Sequence, residues 1–102
     1  MNAPVRLPLP EEKIAALCRQ YRIRRLSLFG SVLRGDFGPE SDVDVLVEFE
    51  PDHGVGYIGL AHIENELGTL LGRKVDLNTP NMLSKYFRDK VLAEAEAVYV
   101  GA

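Results

Sequence analysis

Two aspartates at the start of a valine-rich segment constrain this chain more than any other feature. Residues 43–49 alternate as a strand does, with three valines on one side and Asp44, Leu46 and Glu48 on the other. Asp42 lies two positions before Asp44, so both carboxylates share a face if the strand extends back that far. Two such charges are unfavourable without a cation, and Mg²⁺ is usually held by one or two carboxylates plus phosphates and water. The spacing predicts a divalent-metal clamp, although Asp42 could instead serve only as a loop residue that caps a turn.

A short apolar segment that ends at Gly30 and Ser31 precedes this pair. Residues 24–29 predict a strand, and residues 31–33 predict one helical turn. Such a turn would direct backbone N–H groups at an anion, and the Ser31 hydroxyl can donate to a phosphate oxygen. A lone Gly-Ser would favour a plain turn with Ser31 as N-cap. The combination with Arg34 and with Ser41 to Asp44, all within fifteen residues, favours a phosphate-binding loop instead.

The other segments predict a small mixed sheet backed by helices. Helices are expected over residues 10–21, over residues 57–71 with Gly72 as C-cap, and over residues 83–95. Short strands are expected over residues 74–78 and 97–100. The last helix is expected to direct Leu83, Phe87 and Val91 inward, with Leu92 as a further candidate. This order implies an α/β (α+β) fold.

Asp76 lies in the short strand over residues 74–78, on the side opposite its apolar neighbours. The sheet face that carries Asp44 and Asp76, or its edge, is predicted to be open. If the two strands are neighbours, Asp76 supplies a third carboxylate, enough for two metal ions roughly 4 Å apart. The simpler alternative is a solvated residue near a strand end.

These spaced residues resemble the signature of the minimal nucleotidyltransferases of the DNA polymerase beta superfamily. The resemblance rests on Gly30-Ser31, Arg34-Gly35 and Ser41-Asp42-Val43-Asp44, and continues through Asp76 over almost the whole chain. It implies one nucleotidyltransferase domain over residues 1–102, with the polymerase beta-like palm and an irregular lead-in over residues 1–9.

The resemblance also implies a role for each site residue. Gly30 and Ser31 would contact the nucleotide's phosphates, and Ser41 would join the nucleotide-binding set. Asp42, Asp44 and Asp76 would be the catalytic carboxylates and metal ligands, with Asp76 helping to activate the attacking hydroxyl. Arg34 would either reach a phosphate or fix the loop.

Short proteins similar to this chain act as antitoxins of HEPN-type ribonuclease toxins and transfer AMP from ATP to a toxin tyrosine. The resemblance therefore implies ATP as substrate, Mg²⁺ as the metal, with two ions expected, and an HEPN-type toxin from an adjacent gene as partner. Two alternatives remain open. The protein could neutralise its partner by contact alone, or it could transfer the nucleotide to a small molecule such as an aminoglycoside.

Composition narrows the setting of this chemistry. The 102 residues, 46% of them hydrophobic, suffice for one core, and the net charge of -3 argues against stable nucleic-acid binding. The single cysteine, Cys18, allows no internal disulfide, and no apolar run approaches the ~20 residues of a membrane span. We therefore expect a cytoplasmic protein without membrane contact.

Overall fold

The structure, a computed structural model, describes residues 9–34, 38 and 40–101. In chain order the described elements are α1 (Glu11–Gln20), β1 (Ile23–Phe29), β2 (Val43–Phe49), α2 (Tyr57–Leu71), β3 (Val75–Asn78), α3 (Arg88–Glu94) and β4 (Glu96–Val100). Short 3-10 turns occupy Gly30–Leu33 and Pro80–Met82. The sheet order is β3-β2-β1-β4, with β2 and β3 parallel and the other neighbouring strands antiparallel. The predicted mixed sheet with helices is confirmed.

The register of the central strands separates apolar from acidic residues. In the parallel ladder Val43 lies opposite Val75, and Asp44 lies opposite Asp76. On the antiparallel side Asp44 lies opposite Phe29. Because side chains alternate along a strand, the valines point to one face of the sheet and the two aspartates to the other.

Helices α1 and α2 cover the valine face. The apolar core there combines residues of both helices with the inward residues of the sheet: Ile14, Leu17, Cys18, Leu26, Leu28, Val43, Val45, Val47, Ile63, Leu67, Val75 and Leu77. Helix α2 ends at Gly72, whose φ of 66° is the left-handed conformation that favours glycine, as the sequence predicts. Burial raises the pKa of the Cys18 thiol to about 12, so that this side chain behaves as a small hydrophobe.

The opposite face is only partly open. Ser27 and Leu46 lie on that face and are each 1% exposed, although neither belongs to the helix-covered core. The connection from β3 to β4 runs from one edge of the sheet to the other, and its 3-10 turn contacts β2. We infer that this connection covers Ser27 and Leu46. The prediction of an open face therefore holds only for the corner where β2 and β3 begin.

The last helix begins later than the sequence predicts. A helix is expected from Leu83, but α3 begins at Arg88, after an irregular segment. The Arg88 guanidinium donates hydrogen bonds from Nε to the carbonyl oxygen of Pro80 (2.7 Å) and from Nη2 to that of Leu83 (3.0 Å). These bonds stabilise a turn where the apolar spacing predicts the first helical turn.

Two apolar residues expected to face inward from this helix are exposed. The exposed fraction is 51% for Phe87 and 39% for Leu92, so their predicted orientation is wrong. Leu83 is buried as expected, and Val91 is half-buried. Helical spacing does not predict which side chains of residues 83–87 are buried, because these residues precede α3 and do not form one helix.

Strand β3 lies at an edge of the sheet, where a side chain accepts a hydrogen bond from one of its backbone N–H groups. The N–H of Leu77 donates to Oε2 of Glu64 in α2 at 2.9 Å, so this backbone donor is satisfied without another strand.

Among the described helices, none is long and apolar enough to cross a membrane. Of the predicted lead-in and loop, residues 1–8, 35–37 and 39 lie outside the described residues.

Candidate active site

Asp44 and Asp76 form the centre of the candidate site. They lie opposite each other in adjacent parallel strands, which places their Cα atoms about 4.8 Å apart by strand spacing. Asp44 is half-buried and Asp76 is exposed. Burial raises the pKa of the Asp44 carboxyl above its ordinary value of 3.8, and the charges of Asp76 and Asp42 raise it further, while Arg34 lowers it. Negative charge is thus concentrated at one corner of the sheet.

Gly30 lies directly against the Asp44 carboxylate. A Cβ at position 30 would overlap Oδ2 of Asp44, and the φ of 75° is itself unfavourable for other residues. Gly30 begins the 3-10 turn that carries half-buried Ser31, so the predicted strand-to-turn junction is confirmed. The turn and the acidic pair therefore share one corner, while the contact of Gly30 and Ser31 with a phosphate stays a prediction.

Asp42 differs from the other two carboxylates because it precedes the paired part of β2. The ladder with β3 begins at Val43, and Asp42 is exposed just before it. The Nζ atom of Lys74 lies 4.0 Å from Oδ2 of Asp42, and both side chains are solvent-accessible. Such exposed pairs contribute little to stability, at most about 1 kcal/mol. The ladder therefore does not fix Asp42.

The turn that leads to Asp42 is held by Arg73. Its Nη2 atom donates to the carbonyl oxygens of Gly38 (2.5 Å) and Ser41 (2.7 Å), and the side chain is half-buried. The Ser41 hydroxyl accepts a hydrogen bond from the Gly38 N–H at 3.0 Å, so it is already engaged within the turn. The role of Ser41 in nucleotide binding stays a prediction. Arg73 is not among the site residues that the sequence predicts, although it holds this turn.

Arg34 follows the 3-10 turn and is exposed. Its backbone N–H donates to the Ser31 carbonyl oxygen at 3.0 Å, which helps to close the turn. Its positive charge lowers the pKa of Asp44, but the larger effect of burial raises it. Both predicted roles of Arg34, phosphate contact and loop fixation, stay open predictions.

The carboxylates suit Mg²⁺ better than a metal that requires a complete protein cage. Among the described residues, no three acidic, histidine or cysteine side chains are gathered closely enough to hold a metal ion together. Mg²⁺ needs only one or two protein carboxylates when water and substrate phosphates complete its shell. The raised pKa of Asp44 indicates a carboxylate that a cation would stabilise. The donor set fits Mg²⁺, and the full three-aspartate ligand set stays a prediction.

Comparison with known proteins gives the family. The nucleotidyltransferase domain family matches residues 11–98. A protein of Methanocaldococcus jannaschii named as a candidate protein adenylyltransferase is 34% identical over 85 residues, which cover 83% of this chain and 89% of that protein. The protein adenylyltransferase MntA of Thermococcus cleftensis is 36% identical over 84 residues, or 82% of this chain and 81% of that protein.

Solved structures share the fold. One described as a candidate minimal nucleotidyltransferase is 36% identical, with a TM-score of 0.71 over 84% of this chain and 86% of that chain. A chain of a toxin–antitoxin complex with AMP-PNP is 24% identical, with a TM-score of 0.71 over 91% and 75% of the two chains. Another, from a tri-AMPylated Shewanella oneidensis HEPN toxin in complex with its MNT antitoxin, is 22% identical, with a TM-score of 0.62 over 89% and 70%.

The sequence matches span most of this chain and most of each relative, and the fold agrees with them. The acidic corner and the glycine turn lie within the matched residues 11–98. This chain therefore belongs to the nucleotidyltransferase domain family and is an enzyme of the nucleotidyltransferase class.

Proposed function

We propose that this protein is a Mg²⁺-dependent protein adenylyltransferase that transfers AMP from ATP to a tyrosine hydroxyl of an HEPN-type toxin. In this role it acts as the antitoxin of a toxin from an adjacent gene. The observation that supports the proposal most is the position of Asp44, which lies opposite Asp76 and against Gly30. Relatives named protein adenylyltransferases support a protein acceptor, and the toxin–antitoxin complexes of the same fold make a toxin the acceptor to test first.

In the proposed reaction the acceptor hydroxyl oxygen attacks the α-phosphorus of ATP. The bond from that phosphorus to the bridging oxygen breaks, and pyrophosphate leaves. Asp76, which is exposed beside Asp44, would accept the proton of the attacking hydroxyl. Most of the acceleration would come from in-line positioning of the two reactants and from stabilisation of phosphate charge.

The remaining site residues would bind the nucleotide and its counter-ion. Asp42 and Asp44, with Asp76 as the third carboxylate, would hold Mg²⁺, which supplies charge neutralisation at the transferring phosphoryl group. Gly30 leaves room for the Asp44 carboxylate, because a side chain there would displace it, and its backbone would approach the phosphates. The Ser31 hydroxyl would donate a hydrogen bond to a phosphate oxygen.

The proposal is tested by mass spectrometry of the acceptor. The purified protein is incubated with ATP, Mg²⁺ and the product of the adjacent gene, and the intact mass of that product is measured. We expect added adenylyl groups on a tyrosine, which require both ATP and Mg²⁺. An acceptor mass that does not change under these conditions would refute the transfer.

A paired substitution separates catalysis from neutralisation by contact. Asp42→Asn with Asp44→Asn removes two carboxylates without a large change in side-chain shape. Asp52→Asn is the matched control, since Asp52 is exposed and its φ of 61° is a conformation that Asn also tolerates. We expect the double variant to leave the toxin's ribonuclease active and the control to neutralise it. Neutralisation that survives in the double variant would favour contact alone.

A further inference from the structure

The site carboxylates differ in what holds them in place. Asp44 and Asp76 belong to the β2–β3 ladder, so the hydrogen bonds of the sheet fix their backbones. Asp42 precedes the first paired residue of β2, and the next N–H, that of Val43, donates to the Lys74 carbonyl oxygen at 2.9 Å. The backbone of Asp42 is therefore held on its C-terminal side by this bond and on its N-terminal side by the turn that leads into it.

That turn is closed by its own hydrogen bonds and then attached to the rest of the molecule. Within it, the Ser41 N–H donates to the Gly38 carbonyl oxygen at 3.1 Å, and the Gly38 N–H donates to Oγ of Ser41 at 3.0 Å. The attachment is Arg73, whose Nη2 donates to the same Gly38 oxygen and to that of Ser41. Both carbonyl oxygens thus converge on one guanidinium nitrogen.

Arg73 lies in the segment that leads into β3, just as the turn leads into β2. The contacts of Arg73 join chain positions that are 35 and 32 residues apart. A half-buried guanidinium with charge-assisted hydrogen bonds is a rigid connection, stronger than a bond between neutral groups. It connects the segment before Asp76 to the segment before Asp42.

We propose that Arg73 is a positioning residue of the active site, which holds the carbonyl oxygens of Gly38 and Ser41 so that Asp42 can bind the metal together with Asp44. The catalytic consequence rests on the proposed function, but the effect on metal binding can be measured without an acceptor. Loss of a residue that orients a metal ligand typically weakens metal binding about 10-fold or more.

Arg88 provides a matched control for Arg73. It is also a half-buried arginine that donates two hydrogen bonds to backbone carbonyl oxygens, but it holds the turn before α3 instead of the turn before Asp42. A general loss of stability would follow from Arg73→Met and from Arg88→Met alike. A loss of metal affinity is expected only from Arg73→Met.

The test measures the binding of Mn²⁺ alone by electron paramagnetic resonance, together with the thermal midpoint of each variant. We expect Arg73→Met to weaken Mn²⁺ binding about 10-fold, Arg73→Lys to restore part of it, and Arg88→Met to leave it unchanged. Equal affinity in Arg73→Met and the parent would overturn the inference, and so would a parent that binds no Mn²⁺. Weakened binding without any adenylyl transfer by the parent would refute the proposed function and leave the inference standing.

Hydrogen exchange decides the case in which Arg73→Met does not fold. The Ser41 amide is bonded within the turn, whereas Val45 lies in the ladder. In Arg73→Lys we expect faster exchange at Ser41 than in the parent and unchanged exchange at Val45. Unchanged exchange at both amides would overturn the inference.

Discussion

The two faces of the β-sheet receive alternate residues of the same strands but serve different ends. On the helix-covered face Val43, Val45 and Val47 are at most 1% exposed and contribute to the core. On the other face Asp44 and Asp76 place two like charges opposite each other, which is unfavourable without a cation. One strand, β2, thus supplies residues of the core and of the candidate site at once. Stability and activity should therefore be separable by substitutions on opposite faces.

The largest effect is expected on the carboxylate face. Asp44→Asn should slow the proposed adenylyl transfer at least about 1,000-fold, or about 4 kcal/mol of barrier, because a proposed metal ligand would be lost. The free energy of unfolding should not fall, because the raised pKa means that the ionised Asp44 is disfavoured in the folded protein. Single-turnover transfer and urea unfolding measure the two quantities. A large loss of stability would show that the carboxylate face also contributes to folding.

The complementary substitution lies on the helix-covered face. Ile63 in α2 is fully buried, and Ile63→Ala should lower the free energy of unfolding by about 2–5 kcal/mol through lost burial and a residual cavity. Ile58→Ala in the same helix is the control, since Ile58 is 78% exposed and should change stability by less than about 0.5 kcal/mol. Urea unfolding measures both variants. Transfer per folded molecule should match the parent, and a loss there would mean that the faces are coupled.

A smaller effect is expected where a glycine borders the acidic corner. Gly30→Ala should cost about 1–2 kcal/mol of stability because of its positive φ, and the new Cβ should also displace Asp44 and slow transfer. Gly72→Ala has a similar φ of 66° but no atom within 4 Å of the added Cβ. We expect similar stability losses in the two variants and slower transfer in Gly30→Ala alone. Equal transfer rates would show that Asp44 tolerates displacement.

The smallest effect is the pH dependence of stability in metal-free buffer. The folded protein binds the Asp44 proton more tightly than the unfolded chain, because the pKa is raised. This contribution to stability is fully present below the ordinary pKa of 3.8 and is lost as the pH rises through the higher folded-state pKa. Asp44→Asn should remove that part of the decline. Urea midpoints of both proteins across this range measure it, and parallel pH profiles would contradict the prediction.

The sequence predicts the parts of this structure that depend on local pattern. Alternation over residues 43–49 places Asp44 on the face of the sheet away from the valines. The glycine after Leu71 ends α2. The burial of Leu46, which lies on the same face as Asp44, could not be predicted in the same way, because it depends on what packs over the sheet. The contacts of Arg73 also escaped prediction, since they join segments more than thirty residues apart, and no local pattern specifies such pairs.

The Glu64 carboxylate that accepts from the Leu77 N–H also limits the routes by which an acceptor can reach Asp76. A polypeptide that added itself to the sheet as a further strand beside β3 would have to displace this carboxylate first. Binding of an acceptor as an additional strand beside β3 is therefore disfavoured. In the proposed reaction an acceptor would have to reach the acidic corner from the open side of the sheet and not along the β3 edge.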